Sequence, residues 1–527
     1  MSRRHKAAAG IAAVAALSAA PALAQSGGGT SRGPSTTTDP YVIPAADGVR
    51  ITSLLSVDDA GSAGNGYEMA GIPDGIGAFR AAGRSFSILQ NHELRDTAGV
   101  PRRHGQRGAF VARLKIDRRT LAVTEGIDHI DPGVTYWDYV SQAYRNAPSS
   151  GGPNPRDPGD AFPPQLAPFS RFCSGTLSEP GQLLNRRSGR GFAGQLFFAN
   201  EENGDEGRQF GVTAEGEAKQ LPRLGLFSWE NTKPAFNRTD RTVVMGNEDG
   251  GAGQLWVYSG TKRTRGDAFD RAGLTNGTNF VLDAVDKAVT NDAQWRARFP
   301  KGTPGDVGVN EVDWDQSGAA QNREAAADGL SLNRIEDGDF DPENPDDYYF
   351  VTTEGGGKQA DPTDPRNSSR DGGGLWRLSF EDVENPELGG TLTLLLDGTE
   401  APYLNKPDNT TIDSRGNLLI QEDPGGNAHL ARIVAYDLDS GARGVVARFD
   451  SRLFSQGEPG FITQDEESSG IVEVKDQLGR GRYLFDAQVH APSPNPASVE
   501  KGQLMVLEFD SWRDVYDGDG DDRKGRD

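Results

Sequence analysis

A short apolar run that stops in acid and then in glycine recurs along this chain, and no other feature restricts its fold so much. The fullest copy runs Leu196-Phe197-Phe198-Ala199-Asn200-Glu201-Glu202-Asn203-Gly204-Asp205-Glu206-Gly207-Arg208. The apolar residues have the character of a buried strand end, and four carboxylates follow within six positions. Such a density repels itself unless it is solvated or holds a cation. Comparable strand ends stand at Glu93, Glu201/Glu202, Glu248/Asp249, Glu354, Glu422/Asp423 and Asp465/Glu466/Glu467. Their spacing is irregular, as if insertions interrupt a repeat. A four-stranded antiparallel unit, repeated so that equivalent strand ends meet at one axis, accounts for this pattern. The expected fold is therefore all-β: a six-bladed β-propeller with long loop and helical insertions. The plainer reading is that any all-β protein has polar strand ends, but it leaves the recurring glycine unexplained.

Composition agrees with a turn-rich β protein. Glycine (68) and proline (31) are abundant and long amphipathic helix patterns are scarce. Residues 1–24 read as an export signal: basic Arg3, Arg4 and Lys6, an apolar run from Ala7 to Ala20, then Ala22-Leu23-Ala24 as a cleavage site. Arg3-Arg4 leaves twin-arginine and ordinary secretion both open. A secreted or periplasmic location is expected. Residues 25–40 read as a flexible leader, 41–510 as one propeller domain and 511–527 as an acidic disordered tail. Thr261 to Pro345 is expected to be an insertion, with short helices at Ala284–Arg296 and Asn322–Leu330. No later apolar segment is long enough to span a bilayer. The net charge of −22 excludes a basic nucleic-acid footprint.

Carboxylates converging on a water-facing mouth need cations. Ca²⁺ takes six to eight oxygen ligands, and glycine-rich loops can add carbonyls to side chains such as Glu93, Glu248 and Asp465. Within Asn200-Glu201-Glu202, strand alternation turns the two acids to opposite sides, so one can bind metal while the other orients the loop. Asp205 and Glu206 on the turn are expected either to support the ligands from behind or to be solvated. Cys173 is the only cysteine, so no intramolecular disulfide forms. It is either a buried inert thiol or, if it points into the same mouth, a ligand for iron or zinc. His92 in Asn-His-Glu is a candidate ligand or acid/base group. Asp486, Gln488 and His490 project together from one strand face. Ser174 and Ser259 lack a nucleophile-elbow context, which argues against a serine hydrolase.

Several of these motifs together resemble one family. Asn91-His92-Glu93, Phe197 to Arg208, Met245 to Lys262, Asp465 to Gly470 and Phe485 to His490, in that order, are similar to the PhoX family of bacterial alkaline phosphatases. The resemblance runs from about residue 41 to residue 510. It implies a secreted propeller that hydrolyses phosphate monoesters, with Ca²⁺ and Fe³⁺ in the central mouth. It implies Cys173 as an iron ligand and Glu201, Glu202, Glu354 and Glu422 as ligands for iron or calcium. A small-molecule phosphate ester is the expected partner. Arg95, Arg208 and Lys262 are candidates for holding the phosphoryl group, with Arg208, His92 and His490 as the catalytic set. The alternatives are a lactonase or phytase-like propeller hydrolase, and a non-catalytic calcium-binding extracellular propeller.

Overall fold

The computed structural model describes residues 24–26, 29–80, 83–355 and 372–516. The predicted export signal up to Leu23, the acidic run from Asp517, and Gly356 and Gly357 lie outside them. The regular structure of the described chain is almost entirely antiparallel sheet, in a propeller-like arrangement. Six short strands form its inside edge: β1 (Pro73–Arg80), β2 (Phe172–Leu177), β3 (Trp229–Pro234), β4 (Ile335–Phe340), β5 (Pro407–Ile412) and β6 (Glu466–Glu473). Each begins a four-stranded meander, as in β1, Ser85–His92, Phe110–Asp117 and Val123–Asp128. The meanders of β3 and β4 join edge to edge through Gly305–Val312. The meander of β6 takes its fourth strand, Val49–Ser56, from the other end of the chain. Each inner strand packs beside the next, and β6 packs back against β1, so the ring closes.

Side-chain alternation explains why these strands stack. One face of each sheet meets its neighbour on one side, and the other face meets the neighbour on the other. Leu89 and Val111 pack on Phe197 and Phe210. Phe198 packs with Trp256, Val257 with Phe350 and Trp376, and Leu375 with Ile420. Leu419 packs with Phe485, and Ile88 with Leu484. Burying each of these large side chains contributes roughly 1.5–3 kcal/mol.

Polar latches hold the inner edge, where little apolar surface exists. A side chain near the end of each second strand donates to the next inner strand. Asn91 Nδ2 bonds the carbonyl of Cys173 at 2.9 Å. Asn200 Nδ2 bonds those of Ser174 at 2.7 Å and Glu230 at 3.3 Å. Asn247 bonds the carbonyl of Glu336, Thr353 that of Pro407 and Gln421 that of Ser469. Gln488 closes the circuit on the Asp74 carboxylate at 3.0 Å.

Three expectations need correction. The segment read as a flexible leader is packed from Thr30 onward: Thr30–Arg32 runs parallel to Ile51–Ser53, and Thr36 is buried against Ser56. Its Ser and Thr residues are polar in sequence but find buried partners. The region 261–345 is only partly an insertion. Its helices, Ala268–Ala272, Asp292–Arg298 and Gly318–Asp328, are short. Thr278–Ala284 completes the β3 meander, and β4 itself lies in this region. β4 was hidden because it borders the axis and carries three acids, so it has no apolar periodicity to read. At the other end, Trp512–Tyr516 is a helical turn in which Trp512 stacks on Phe509 at 4.3 Å, so the tail is ordered as far as Tyr516.

Replacing Asn200 by alanine removes its bonds to the Ser174 and Glu230 carbonyls and the acceptor of Gln209 Nε2 and Thr232 Oγ1, and should cost about 1–3 kcal/mol of stability. Denaturant or thermal unfolding of Asn200→Ala against the parent chain measures it.

Candidate metal centre

The second residue of every inner strand is Asp74, Cys173, Glu230, Glu336, Asp408 or Glu467. These six occupy equivalent positions around the axis, and all are buried. Cys173 Sγ lies 3.5 Å from Asp74 Oδ2 and 3.4 Å from Glu230 Oε1. Ligand atoms lie within 4.8 Å of one another in three groups: Asp74, Glu93 and Cys173; Cys173, Glu202 and Glu230; Glu230, Glu336 and Asp408. In β1 to β5 the pairing register shifts across this second residue, so a bulge turns the side chain out of the sheet toward the axis. β1 and β2 also approach unusually closely. A Cβ on Gly75 would sit 1.9 Å from the Gly175 nitrogen, so only glycine lets Asp74 and Cys173 meet.

A second tier comes from the residue just past or near the end of five of the six second strands. Glu93, Glu202, Asp249, Asp423 and His490 stand there. The residue before each acid points the other way, into the sheet. Thus Glu201 binds the Arg208 guanidinium through both oxygens, at 2.6 and 2.7 Å. Glu248 accepts from Trp256 Nε1 at 2.8 Å and from the Gln254 nitrogen at 2.9 Å. Glu422 is held by Arg432 and His429 at 2.7–3.0 Å. Burial would raise the Glu422 pKa, but Arg432 and His429 outweigh it and hold it at about 2.

Three cations sit over the ring by the same positional logic. Arg171, Arg334 and Lys406 directly precede β2, β4 and β5, and each has a left-handed φ, of 48°, 56° and 50°. A non-glycine residue there costs roughly 1–3 kcal/mol, and such strain concentrates at functional sites. Arg171 bridges Glu93, at 2.7 Å, and Glu202. Arg334 grips Asp249 at 2.8 and 3.0 Å and reaches Glu336 at 3.3 Å. Burial raises the Asp423 pKa, and Lys406 lies close enough to oppose that rise. His490 sits between Glu500, at 2.7 Å, and Glu467, at 3.8 Å, and these carboxylates raise it to about 11 against the opposing effect of burial.

These cations do not neutralise the ring. Asp74, Glu230, Glu336 and Asp408 all have pKa values raised well above the carboxylate range, first by burial and then by one another. Cys173 is raised by burial and by Glu230, Glu93 and Asp74. Oxygen-rich, mutually repelling and buried, with one thiol among them, this donor set fits bound cations.

Of the residues singled out in the sequence, Cys173, Glu93, Glu202 and His490 come together here. Glu201, Glu248 and Glu422 are turned into their sheets, and their partners or neighbours, Glu202, Asp249 and Asp423, face the axis instead. Glu354 is half-buried on a loop and belongs to none of the three groups. Asp465 precedes β6 and presents its carbonyl to the His490 nitrogen at 3.0 Å. Arg208 is buried, and bonds the Leu166 and Pro168 carbonyls besides Glu201. His92 is stacked on Phe110 with Nδ1 3.1 Å from the Gly71 carbonyl, and burial lowers its pKa to about 3. Lys262 is buried on Asn237 and Thr239, and Arg95 is exposed. Asp74, Glu230, Glu336 and Asp408 were missed. Their one sequence signal is an acid followed by Gly, Asn or Asp, 15–19 residues before the better-marked strand-end acid.

Comparison with known proteins agrees with this architecture. The family model described as alkaline phosphatase PhoX matches residues 193–470, more than half of the chain. Among solved structures, PhoX of Pseudomonas fluorescens in complex with vanadate, a transition state analogue, is similar in fold with a TM-score of 0.60. It is 13% identical over 89% of this chain and 97% of that one. A gluconolactonase of Xanthomonas campestris is 11% identical over 89% and 94% of the two chains, with a TM-score of 0.31. No curated protein matches this chain in sequence. The family model, matching more than half of the chain, shows the kinship: the chain belongs to the PhoX family of alkaline phosphatases.

Proposed function

We propose that this protein is an exported phosphomonoester hydrolase whose axial ring holds calcium and iron, on a propeller of six blades. The observation that carries the reading is the ring itself, in which the same position of every inner strand supplies a carboxylate or the thiol. The closed order of inner strands supports the blade count. Cys173, with Asp74, Glu93, Glu202 and Glu230 around it, would hold iron, because a thiolate suits that metal and not calcium. Glu230, Glu336 and Asp408 offer only oxygen and would hold calcium. The bound cations would gather phosphoryl oxygens and offset negative charge as the ester bond breaks.

The chain's own residues do the positioning. Arg334 presents a planar fork suited to two phosphoryl oxygens, held in place by Asp249. Arg171 and Lys406 add positive charge on the other sides of the mouth. His490, anchored on Glu500, offers Nε2 toward the ring and keeps Glu467 oriented. The substrate class is a small phosphate monoester. Export places the ring where calcium is plentiful, and the predicted signal before Gln25 supports that location.

Metal analysis with p-nitrophenyl phosphate hydrolysis tests the proposal. Iron and several calcium ions should copurify with activity. Cys173→Ala should lose iron, keep calcium and lose activity by about 10²-fold or more. Retention of iron at an unchanged rate would overturn the assignment. Arg334→Ala should lower kcat/KM by about 10²–10³-fold and weaken inhibition by vanadate, while the metal content stays as in the parent.

The metal-free protein should respond to pH in a defined direction. The ring acids have folded pKa values above their unfolded ones, and Glu467 is raised to about 7 by burial and Asp423. Their stabilising contribution is complete below about pH 4 and is lost as pH rises through the raised values. Chelated protein should therefore unfold at a lower temperature at pH 8 than at pH 5. Added calcium should reverse the loss, as differential scanning calorimetry can measure.

A further inference from the structure

One large cavity does not contain the ring. It lies on the same axis beyond it, toward the far ends of the inner strands, with a volume of about 680 Å³. A layer formed by the residues after the ring separates the two. There Asn409 Nδ2 donates to Ser174 Oγ at 3.1 Å, and Asn231 donates to Asp337. The volume is in the range of small-molecule sites, which are largely apolar with a few placed polar groups.

The lining specifies what could fill it. Phe79, Phe236 and Phe340 present aromatic surface, and Phe236 is 43% exposed although large and apolar. Among the charged residues, Lys233 is taken by Asp339 at 3.1 Å and Lys475 by Glu473 at 3.4 Å. Acids still outnumber bases along the lining, with Glu179, Asp337, Asp339, Asp341, Glu473 and Asp476 against Arg80, Lys233 and Lys475. Thr410 is 2% exposed and borders the cavity, and its Oγ1 has no hydrogen-bond partner among the described residues. Acidic excess beside aromatic rings attracts an organic cation, through Coulomb attraction and through the ring faces.

We propose that this cavity binds a small organic cation, its apolar body against Phe79, Phe236 and Phe340 and its charge met by Glu179 and Asp341. The site is separate from the phosphate-ester mouth, so it stands or falls independently of the hydrolase reading.

Thioflavin T, a flat aromatic cation that brightens when immobilised, is a suitable probe for fluorescence titration of the metal-loaded protein. Saturable binding at one dye per chain is expected. The charge-reversed Glu179→Lys/Asp341→Lys chain, altered only at the cavity's rim, should bind about tenfold more weakly. Phe236→Ala should also weaken binding, and both variants should hydrolyse p-nitrophenyl phosphate at the parent rate. Inorganic phosphate should not displace the dye. The proposal is overturned if thioflavin T does not saturate or if the charge reversal leaves its affinity unchanged. It is equally overturned if phosphate displaces the dye, or if anionic anilinonaphthalene sulfonate binds this cavity more tightly.

Discussion

Negative charge crowded onto the axis is the constraint on which the rest of this structure depends. Five carboxylates and a thiol occupy one level of the inner ring, with further acids above them. In a low-dielectric setting such groups cannot all be ionised without a compensating charge. Their mutual repulsion would drive them apart. They stay together because the apolar wedges between sheets, from Trp256 and Trp376 around to Phe485, are stable enough to hold the inner strands in place. The fold opposes its own centre, and cations held there would relieve that opposition.

Local geometry serves the same end. Bulges in β1 to β5 turn the ring residues out of the sheets, and the left-handed residues before β2, β4 and β5 raise basic side chains over them. Amide latches from Asn91, Asn200, Asn247 and Gln421 tie each sheet to the next inner strand, close to the ring. Each device is costly alone: a bulge gives up ladder bonds, and a left-handed arginine is strained. Their repetition at equivalent positions shows a single solution applied around the axis. The ion pairs that look catalytic in sequence, such as Glu201 with Arg208, lie one residue off this pattern and brace the sheets instead.

Legibility in the sequence followed hydrophobic contrast. Second strands such as Leu196–Glu201 and Asn417–Glu422 run apolar and end in acid, so both they and their terminal carboxylates could be found. Inner strands such as Ile335–Phe340 and Pro407–Ile412 border water and acid, so no periodicity marked them, and the deepest ligand candidates lay in those strands. The doubled acids were ambiguous for a different reason. A period of two says that neighbours diverge but does not say which one faces the axis.

By itself, the sequence determined the all-β class, the clustering of acid at strand ends, the single thiol and the likeness to PhoX, because composition, alternation and motif order are properties of the chain. Only the tertiary structure decided which acids meet. Asp74 and Glu467 are nearly four hundred residues apart, yet they are neighbours on the ring. That proximity comes from ring closure, in which Val49–Ser56 pairs with Glu500–Phe509, and from the register of six inner edges. No local rule of sequence encodes either one.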